Sequence, residues 1–311
     1  MPGKTKIEWC DYVSNPLKAK YSSPHPGLPP NRENADLGEG AEEKRGHVCV
    51  KISEGCAHCW ASSMNVRLGT GLEYSLPNVR KVTPFWDGDE VGRLLKFKPK
   101  GPFKGGRSRP LVFMADMTDV FGDWVRDEWL LNLRGILAWR EDVDFVLLTK
   151  RPARMKMFFL GSSVLPNVWL GVSVENRQRA EERLYPMYAL ARAGWKTLAS
   201  YEPALGRVDW AEWSFLDWLV CGGESGNQAR PMAPAWARDA RDFCKRNDIP
   251  FYFKQWGEFA PVTDLLGRGM TTFKSCPVNV EAEMMVKVGR GLAGHLLDGE
   301  VWRETPGGAH G

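Results

Sequence analysis

The sequence contains no apolar run long enough to cross a membrane. A spanning helix needs about 18 or more consecutive apolar residues, and no stretch of this chain approaches that length. The first residues, MPGKTKIEW, hold no apolar segment of the kind found in a signal peptide. These two absences predict a soluble, cytoplasmic protein with no membrane partner.

An excess of charge of one sign is also missing. The 42 Lys and Arg residues are nearly balanced by 38 Asp and Glu, so the net charge of +4 does not by itself indicate a nucleic-acid partner. No internal repeat or long low-complexity tract is present. With 43% apolar and 26% charged residues, the 311-residue chain can form a core. Its length predicts one large domain, or one domain with appendages.

Seven cysteines at uneven spacing do not form the pattern of a disulfide framework. The segment HVCVKISEGCAHCWA places Cys49, Cys56 and Cys59 in a C-x6-C-x2-C arrangement, and Gly55 lets the chain turn back between them. Thiolates are soft ligands that suit zinc or iron–sulfur clusters. A structural zinc site usually has four protein ligands, whereas a four-iron cluster on three cysteines leaves one iron open.

Three interpretations of this triad stay open. The first is a 4Fe-4S cluster with an open iron, and the second is a structural zinc ion completed by His47 or His58. The third is a set of buried thiols without any ligand. Core or incidental positions explain the other cysteines better, namely Cys10, Cys221, Cys244 and Cys276.

Strand-like and helix-like segments alternate along the middle of the chain. Short apolar runs predict strands over residues 110–115, 143–149, 167–174, 196–200, 216–221 and 249–254. A seventh strand is predicted around residues 47–52. Apolar stripes at helical spacing predict helices over 126–141, 176–193 and 234–246, and Pro186 is expected to kink or interrupt the second.

This alternation predicts an α/β fold with mostly parallel strands and outer helices. A partial or full β/α barrel is favoured because polar residues follow nearly every strand, at the end where such barrels carry their chemistry. We expect an N-terminal segment over 1–48, a barrel over 49–258 and a C-terminal extension over 259–311. Residues 15–46 are expected to form an irregular insertion or flap, and periodicity fades over 259–290.

Ordered blocks along nearly the whole chain resemble a phage-associated family of three-cysteine proteins related to the radical S-adenosylmethionine (SAM) enzymes. The blocks are KIEWCD, KISEGCAHCWA, MADMTDVF, LLTKRPARM, LPNVWLGVSVEN, SYEPALG, LDWLVCGGESGNQARPM, PFYFKQWGE and LLDGEVWRETP. The C-x6-C-x2-C spacing differs from the C-x3-C-x2-C of most radical SAM enzymes. The cluster assignment therefore follows from the family's barrel and cysteine triad rather than from the common motif.

The resemblance implies a radical SAM-type barrel and a specific chemistry. Cys49, Cys56 and Cys59 would hold a 4Fe-4S cluster whose open iron binds the amino and carboxylate groups of SAM. One electron, from a reductant such as flavodoxin or ferredoxin, would cleave SAM to methionine and a 5′-deoxyadenosyl radical that abstracts hydrogen from the substrate. The protein would orient the substrate and exclude quenchers.

The resemblance also implies SAM contacts at the strand ends. Asp116 and Asp119 would accept from the SAM ammonium group, although Asp119 is equally suited to cap the following helix or turn. Residues at the levels that contact ribose and carboxylate in the superfamily are Ser173, Glu175, Ser200 and Glu202. The segment Gly222-Gly223-Glu224 would allow close approach to adenine or methionine, or would form a simple turn.

Cationic and polar residues are the candidates for substrate binding. Those at two strand ends are Lys150, Arg151, Lys254, Gln255 and Trp256; the cations suit an anionic substrate or the SAM carboxylate, or are simply paired or solvated. A basic loop over 93–109 has seven Lys or Arg and no acid. If it lay beside the mouth of the barrel, its lysines would neutralise phosphates and its two phenylalanines would stack on an unpaired base. These lysines are Lys96, Lys98, Lys100 and Lys104; a solvated loop without a partner is the alternative.

Related radical SAM proteins of phages act on thymidines that carry amino acids. The resemblance therefore implies an enzyme acting on a modified base in DNA, flipped or single-stranded, as an isomerase of an amino-acid-bearing thymidine. Repair of a DNA lesion, in the manner of spore photoproduct lyase, is a second interpretation. A zinc-stabilised nucleic-acid-binding protein without catalysis is a third.

Overall fold

The computed structural model describes residues 2–22 and 43–307. Its strands are β1 (Gly3–Lys4), β2 (Tyr12–Ser14), β3 (Leu17–Ser22), β4 (Glu43–Gly46), β5 (Thr83–Trp86), β6 (Leu111–Met114), β7 (Asp144–Thr149), β8 (Val168–Ser173), β9 (Lys196–Tyr201), β10 (Trp218–Gly222), β11 (Phe251–Gln255), β12 (Phe259–Pro261), β13 (Val278–Val280), β14 (Glu283–Lys287), β15 (Leu296–Leu297) and β16 (Glu300–Val301). Its α-helices are α1 (Trp60–Leu68), α2 (Leu76–Val79), α3 (Gly88–Leu95), α4 (Asp127–Trp139), α5 (Pro152–Phe159), α6 (Arg177–Arg192), α7 (Pro234–Arg246), α8 (Val262–Gly267) and α9 (Arg290–Ala293). Short 3-10 turns cover Glu54–Cys56, Lys104–Gly106 and Ala211–Trp213.

A curled sheet forms the centre of the protein, in the order β1-β2-β6-β7-β8-β9-β10-β11. Only the β1–β2 pair is antiparallel, and every later pair is parallel. Sheet neighbours that are also successive parallel strands need crossovers, and most of these contain a helix. The protein is therefore a mixed α/β fold with a parallel half-barrel, in agreement with a partial β/α barrel. Among the described strands no ladder joins β1 to β11, so the full barrel is not formed.

The six strands predicted from apolar runs are confirmed as β6 to β11, but the seventh is wrong. Residues 47–52 form no strand. Their backbone groups bond to side chains instead: the His47 N–H donates to Oδ1 of Asn65 at 2.8 Å, and the Val48 carbonyl accepts from the Thr118 hydroxyl. The strand beside β6 is β2, from the N-terminal part of the chain.

The three helices predicted from apolar stripes are confirmed as α4, α6 and α7. Each buries its apolar face, with Leu133 and Leu137 on α4 and Ala240 and Phe243 on α7 as examples. The interruption expected at Pro186 does not occur, because α6 continues through it. A proline inside a helix removes one backbone N–H, and this one is tolerated at a buried position.

Aromatic rings fill the amino-terminal half of the concave face. The ring of Trp9 packs on Phe113 with centroids 5.3 Å apart and meets Trp218 edge-on at 5.8 Å. Trp218 in turn contacts Trp169 at 6.1 Å. Such tilted and edge-to-face pairs are the favourable aromatic geometries. The segment before β2 thus plugs one end of the half-barrel and leaves the carboxyl ends of the strands open.

The C-terminal residues cover the outer edge of β11. The Phe253 N–H donates to the Trp302 carbonyl at 2.7 Å, and the Glu304 N–H donates to the Phe251 carbonyl at 3.1 Å. An uncovered edge strand is a template for pairing with another chain. The edge that barrel closure would have used is therefore protected by the chain's own C-terminal part.

Smaller antiparallel sheets, β4-β3-β5 and β12-β14-β13, lie outside the half-barrel. The described ends of the segment 15–46, expected to be irregular, form β3 and β4, which pair with each other. The rest of that expectation, over 23–42, lies outside the described residues. The region 259–290, where periodicity fades, contains β12, α8, β13 and β14. In the described parts of the chain no helix is long and apolar enough to cross a membrane.

Candidate functional site

A cavity of about 580 Å³ opens at the carboxyl ends of the parallel strands. Cofactor and substrate pockets typically occupy about 300–1,000 Å³. All three residues of the cysteine motif, Cys49, Cys56 and Cys59, border this cavity. The predicted strand-end residues that also border it are Asp116, Asp119, Lys150, Arg151, Ser173, Ser200, Glu202, Gly223, Glu224, Lys254 and Gln255. Glu175, Gly222 and Trp256 are not part of its wall.

The cysteines lie on a tight loop that leads into a helix. Ser53 is extended, Glu54–Cys56 forms a 3-10 turn, and α1 begins directly after Cys59. At Gly55 a Cβ would stand 2.6 Å from the side chain of Glu175, so glycine is required for the loop to lie on that carboxylate. The C-x6-C-x2-C spacing thus folds into one loop whose three thiols share a wall.

Burial dominates the ionisation of the thiols. It raises the pKa of Cys49 to about 12, with the Asp119 carboxylate and the Cys59 thiol as further causes. Burial also raises the pKa of Cys59, and Cys56 adds to that effect. The thiols therefore influence one another electrostatically. A bound metal would reverse this preference, because thiol ligands lose their protons on coordination.

The described part of the site does not gather three side chains around a single metal ion. A tetrahedral zinc ion with Zn–S bonds of about 2.3 Å needs sulfurs about 3.8 Å apart. Within residues 2–22 and 43–307, no three His, Cys, Asp or Glu side chains are close enough to hold one ion. Nδ1 of His47 lies 3.1 Å from the Leu17 carbonyl oxygen, and this residue does not border the cavity. His58 borders it, with Nδ1 3.3 Å from Glu224.

Glu175 is fully buried beneath the cysteine loop. One of its oxygens accepts from the Ser53 hydroxyl at 2.6 Å and pairs with Lys150 at 2.8 Å. The other pairs with Arg183 at 2.6 Å. Burial alone raises the pKa of Glu175, but Lys150 and Arg183 outweigh it and hold the pKa below its usual value. These contacts tie the cysteine loop to β8 and α6, which is a different use from the predicted contact with SAM.

Glu224 anchors the same loop from the side of β10. Its oxygens accept from the Arg230 guanidinium at 2.6 and 2.8 Å, and Arg230 also donates to the Glu54 carbonyl at 2.9 Å. Burial raises the pKa of Glu224, but Arg230 outweighs it and the pKa is lowered. Arg179 grips the Glu54 carboxylate at 3.0 and 3.1 Å. Charged groups from two further parts of the chain therefore fix the position of the cysteines.

The carboxylate of Asp119 accepts hydrogen bonds from four groups of the protein itself. It accepts from the Thr149 hydroxyl at 2.7 Å and from the Phe121 N–H at 3.0 Å. It also accepts from the Lys150 N–H at 3.1 Å and the Arg151 guanidinium at 3.0 Å. This network matches the capping alternative for Asp119 more closely than a free SAM ligand. Lys150 and Arg151 likewise match the paired-charge alternative.

Asp116 keeps an oxygen available to the cavity. Ala115, with φ of 58°, turns the chain at the end of β6 and directs Asp116 into the wall. Oδ1 accepts from the Asn15 amide at 2.7 Å, and no cation among the described residues pairs with the carboxylate. Burial raises the pKa of Asp116, partly offset by Asn15. A cationic group entering the cavity would find an acceptor here.

Ser200, Glu202 and Lys254 form one polar group. The Lys254 ammonium donates to one Glu202 oxygen at 2.6 Å, and the other oxygen accepts from the Trp9 indole at 3.2 Å and the Ser200 hydroxyl at 3.3 Å. Burial lowers the pKa of Lys254, but Glu202 outweighs it and raises the pKa. Ser173, at the end of β8, borders the same cavity. The predicted residues of β8, β9 and β11 therefore share one cavity.

The Gly222-Gly223-Glu224 segment packs against the turn after β11. The Gly223 N–H donates to the Gln255 carbonyl at 2.9 Å, and the Gln255 amide donates back to the Gly223 carbonyl at 3.0 Å. A Cβ on Gly223 would overlap the Trp256 carbonyl, so the glycine serves a close approach within the protein. Trp256 is buried against Phe253 with ring centroids 4.9 Å apart, as a core residue rather than a substrate contact.

The basic loop over 93–109 precedes β6 and lies at the amino-terminal ends of the parallel strands, so the condition for its binding role, a place beside the cysteines, is not met. The Lys104 ammonium donates to the carbonyls of residues 5, 7 and 10 at 2.6 to 3.2 Å. Arg109 pairs at 2.8 Å with Asp144, the first residue of β7. Parallel strands begin here and end at the cysteines, so the loop and the cysteines lie at opposite ends of the strands. Residues 5 and 7, whose carbonyls bind Lys104, also border the cavity. The lysines that remain exposed are Lys96, Lys98 and Lys100.

Several residues that hold the site were not singled out from the sequence. They are Trp9, Asn15, Ser53, Arg179, Arg183 and Arg230. Arg183 did carry a signal, because it falls on the apolar stripe of α6 between Ala180 and Met187, where a charge must be paired. The others lie in loops or on polar faces, and their partners are distant in sequence.

The fold and the cavity define the class of this protein: a mixed α/β protein with a parallel half-barrel and a cysteine-lined cavity at the carboxyl ends of its strands. The chain belongs to the family described as "Protein of unknown function (DUF5131)", whose model matches residues 45–306. That range includes the whole cysteine motif. Searches of the curated proteins and of the solved structures returned no significant match.

Proposed function

We propose that this protein is a cytoplasmic radical SAM enzyme that acts on a base in DNA. The observation that carries the proposal is the meeting of Cys49, Cys56 and Cys59 in one wall of a cavity at the carboxyl ends of the half-barrel. This is the end at which β/α barrels carry their chemistry. The sequence resemblance supplies the class of cofactor and of substrate.

The donor set suits a 4Fe-4S cluster. Three thiols are present on one loop and border the same cavity, and a four-iron cluster held by three cysteines leaves one iron open. When bound, the reduced cluster together with SAM supplies a 5′-deoxyadenosyl radical that abstracts hydrogen from the substrate.

The chain's own residues would bind and orient SAM. Asp116, whose carboxylate pairs with no cation among the described residues, is suited to the SAM ammonium group. Lys254 is suited to the SAM carboxylate or to an anionic substrate group, with Glu202 holding its charge. Ser173 and Ser200 border the cavity as candidate donors to ribose. These roles are assigned to predicted residues that do not anchor the cysteine loop, unlike Glu175 and Glu224.

The inner end of the cavity is apolar. Trp9, Phe113 and Leu148 border it there. Apolar walls exclude water and so limit quenching of a reactive intermediate. The substrate base would enter from the open side, flipped out of a duplex or already single-stranded. An amino-acid-bearing thymidine undergoing isomerisation is the proposed substrate, with flavodoxin or ferredoxin as reductant.

Anaerobic reconstitution tests the cluster. We expect a brown protein that absorbs near ~400 nm, carries about four irons per chain and cleaves SAM after reduction. Cys56→Ala should lose both iron and cleavage. Cys276→Ala is the matched control, because Cys276 is an exposed cysteine outside the motif and should be dispensable. Zinc alone in anaerobically purified protein, without SAM cleavage, would contradict the proposal.

Nucleoside mass spectrometry identifies the substrate. Host DNA exposed to active protein should contain a new or missing nucleoside that DNA exposed to the Cys56→Ala variant does not show. Disappearance of a lesion instead of a modified thymidine would identify a repair enzyme. Identical nucleosides with both proteins, despite intact SAM cleavage, would reject DNA as the substrate.

A further inference from the structure

Four residues with exposed side chains border the cysteine cavity: Lys6, Ile52, Trp60 and Arg290. Trp60 is the first residue of α1 and directly follows Cys59. Its side chain is 53% exposed, whereas the other aromatic residues of the cavity wall, Trp9, Tyr74 and Phe113, are buried. Trp60 is therefore a large, flat and exposed apolar surface on the cavity wall.

Lys6 and Arg290 differ from the cations deeper in the wall. Lys150, Arg151 and Lys254 each pair with a carboxylate of the protein. Within the residues that the structure describes, neither Lys6 nor Arg290 makes a salt bridge or a side-chain hydrogen bond. Two cations without a partner among the described residues thus border the same cavity as the exposed indole.

We propose that Lys6, Trp60 and Arg290 form a nucleotide-binding rim. The indole of Trp60 stacks on an unpaired base of a DNA strand, and Lys6 and Arg290 neutralise its phosphates. An aromatic platform beside free cations is the combination by which proteins bind single strands. The choice of DNA as the ligand rests on the proposed function, and the three residues are the place where the strand would be held. Because the ring is 53% exposed, it is accessible to an incoming strand.

A neighbouring cleft of about 420 Å³ is less suited to phosphate. It contains several cations, but its arginines already hold carboxylates of the protein. These pairs are Arg154 with Asp127, Arg179 with Glu54 and Arg183 with Glu175. An anion binding there would compete with existing ion pairs, which is not the case at the rim.

Fluorescence anisotropy with the full-length, anaerobically purified protein tests the aromatic part. The probes are a labelled oligothymidine of roughly 12 nucleotides and an abasic strand of the same length. Wild type should prefer the strand with bases. Trp60→Ala should weaken oligothymidine binding about 5- to 150-fold and leave abasic binding unchanged. Trp60→Phe should retain much of the preference, and Trp139→Ala, which changes a tryptophan 78% exposed on α4, is the control.

A salt titration tests the cationic part. The double variant Lys6→Gln/Arg290→Gln should lose affinity for both strands by the same factor. The magnitude of the slope of log affinity against log salt should fall by about 1.4. Arg246→Gln, an exposed cation at the end of α7, is the matched control. A preference for bases that survives in Trp60→Ala, or a salt slope unchanged in the double variant, would overturn the rim.

Iron content and SAM cleavage are measured on the same samples. Trp60→Ala protein that keeps iron but loses the preference for bases supports the rim independently of the chemistry. If the wild-type protein binds the strands as expected but does not cleave SAM, the proposed function is wrong and the nucleotide-binding rim is supported. If it cleaves SAM but binds neither strand, the rim is wrong and radical SAM chemistry is supported.

Discussion

The acidic residues around the cysteine motif are of two kinds: those paired with a cation of the protein and those without such a partner. Glu175 and Glu224 are buried and paired with cations, and those pairs anchor the loop. Asp116 accepts from Asn15 and pairs with no cation among the described residues, so its charge is not compensated there. A buried carboxylate needs cationic or hydrogen-bonding partners. We therefore interpret a carboxylate that already has several such partners as one that stabilises the fold. All three acids follow strands, and the sequence pattern alone does not separate them.

Glu175→Gln tests the anchoring of the loop. The change leaves Lys150 and Arg183 without the carboxylate that they share, so we expect the free energy of unfolding to fall by about 3 kcal/mol in urea denaturation. Glu181→Gln is the control on the same helix, since Glu181 forms an exposed pair with Arg177 and should cost no more than about 0.5 kcal/mol. Equal losses in the two variants would refute this role.

The same variant has an expected pH signature. Because the pKa of Glu175 is held below its unfolded value of 4.5, its stabilisation is complete above that pH and is lost as the pH falls through the lower folded pKa. Wild type should therefore lose unfolding free energy more steeply than Glu175→Gln on acidification below about 4.5. Parallel stability curves for the two proteins would contradict the assignment.

Elements differ in how far their sequences predict them. The strands β6 to β11 are apolar on consecutive residues because both faces of the sheet are covered, and the helices α4, α6 and α7 repeat apolar residues at the helical period. The segment 47–52 has a strand-like composition, yet its backbone bonds to side chains. Composition indicates what a segment is able to form, and its partners decide which form it takes.

The basic loop illustrates the same point for charge. Seven cations in seventeen residues suggest a binding surface, but Lys104 is inserted among three backbone carbonyls. Lys104→Met should lower the free energy of unfolding by about 2 kcal/mol, because those carbonyls lose their donor. Lys98→Met, at an exposed position of the same loop, should change it by less than about 0.5 kcal/mol. Urea denaturation measures both, and equal effects would show that the Lys104 contacts do not stabilise the fold.

At the scale of the whole molecule, the half-barrel is completed by the two ends of the chain. Trp9 fills the concave face and reaches Glu202, while Trp302 and Glu304 bond along the outer edge of β11. Among the described residues, neither the N-terminal nor the C-terminal segment closes the carboxyl side of the sheet, and the cavity lies there. Access to the cysteines is therefore a consequence of incomplete closure.

Glu304→Pro tests the coverage of that edge. Proline removes the N–H that bonds the Phe251 carbonyl, so the variant should lose stability and aggregate on heating. Glu304→Ala loses only the side-chain acceptor of the Phe251 N–H and keeps the backbone bond. We expect Glu304→Pro to be less stable than Glu304→Ala by about 1–3 kcal/mol in urea. Equal stability and equal light scattering would mean that the edge does not depend on this pairing.

The sequence by itself determined six of the parallel strands, three covering helices and a triad of cysteines on one short loop. These features are local, because apolar period and cysteine spacing are properties of neighbouring residues. Only the tertiary structure decided which acids are neutralised, at which end of the sheet the basic loop lies, and that Lys6, Arg290 and Trp60 border one cavity. Each of these features depends on contacts between residues that are far apart in the chain. In the sequence alone, a charged residue that will be paired cannot be distinguished from one that will not.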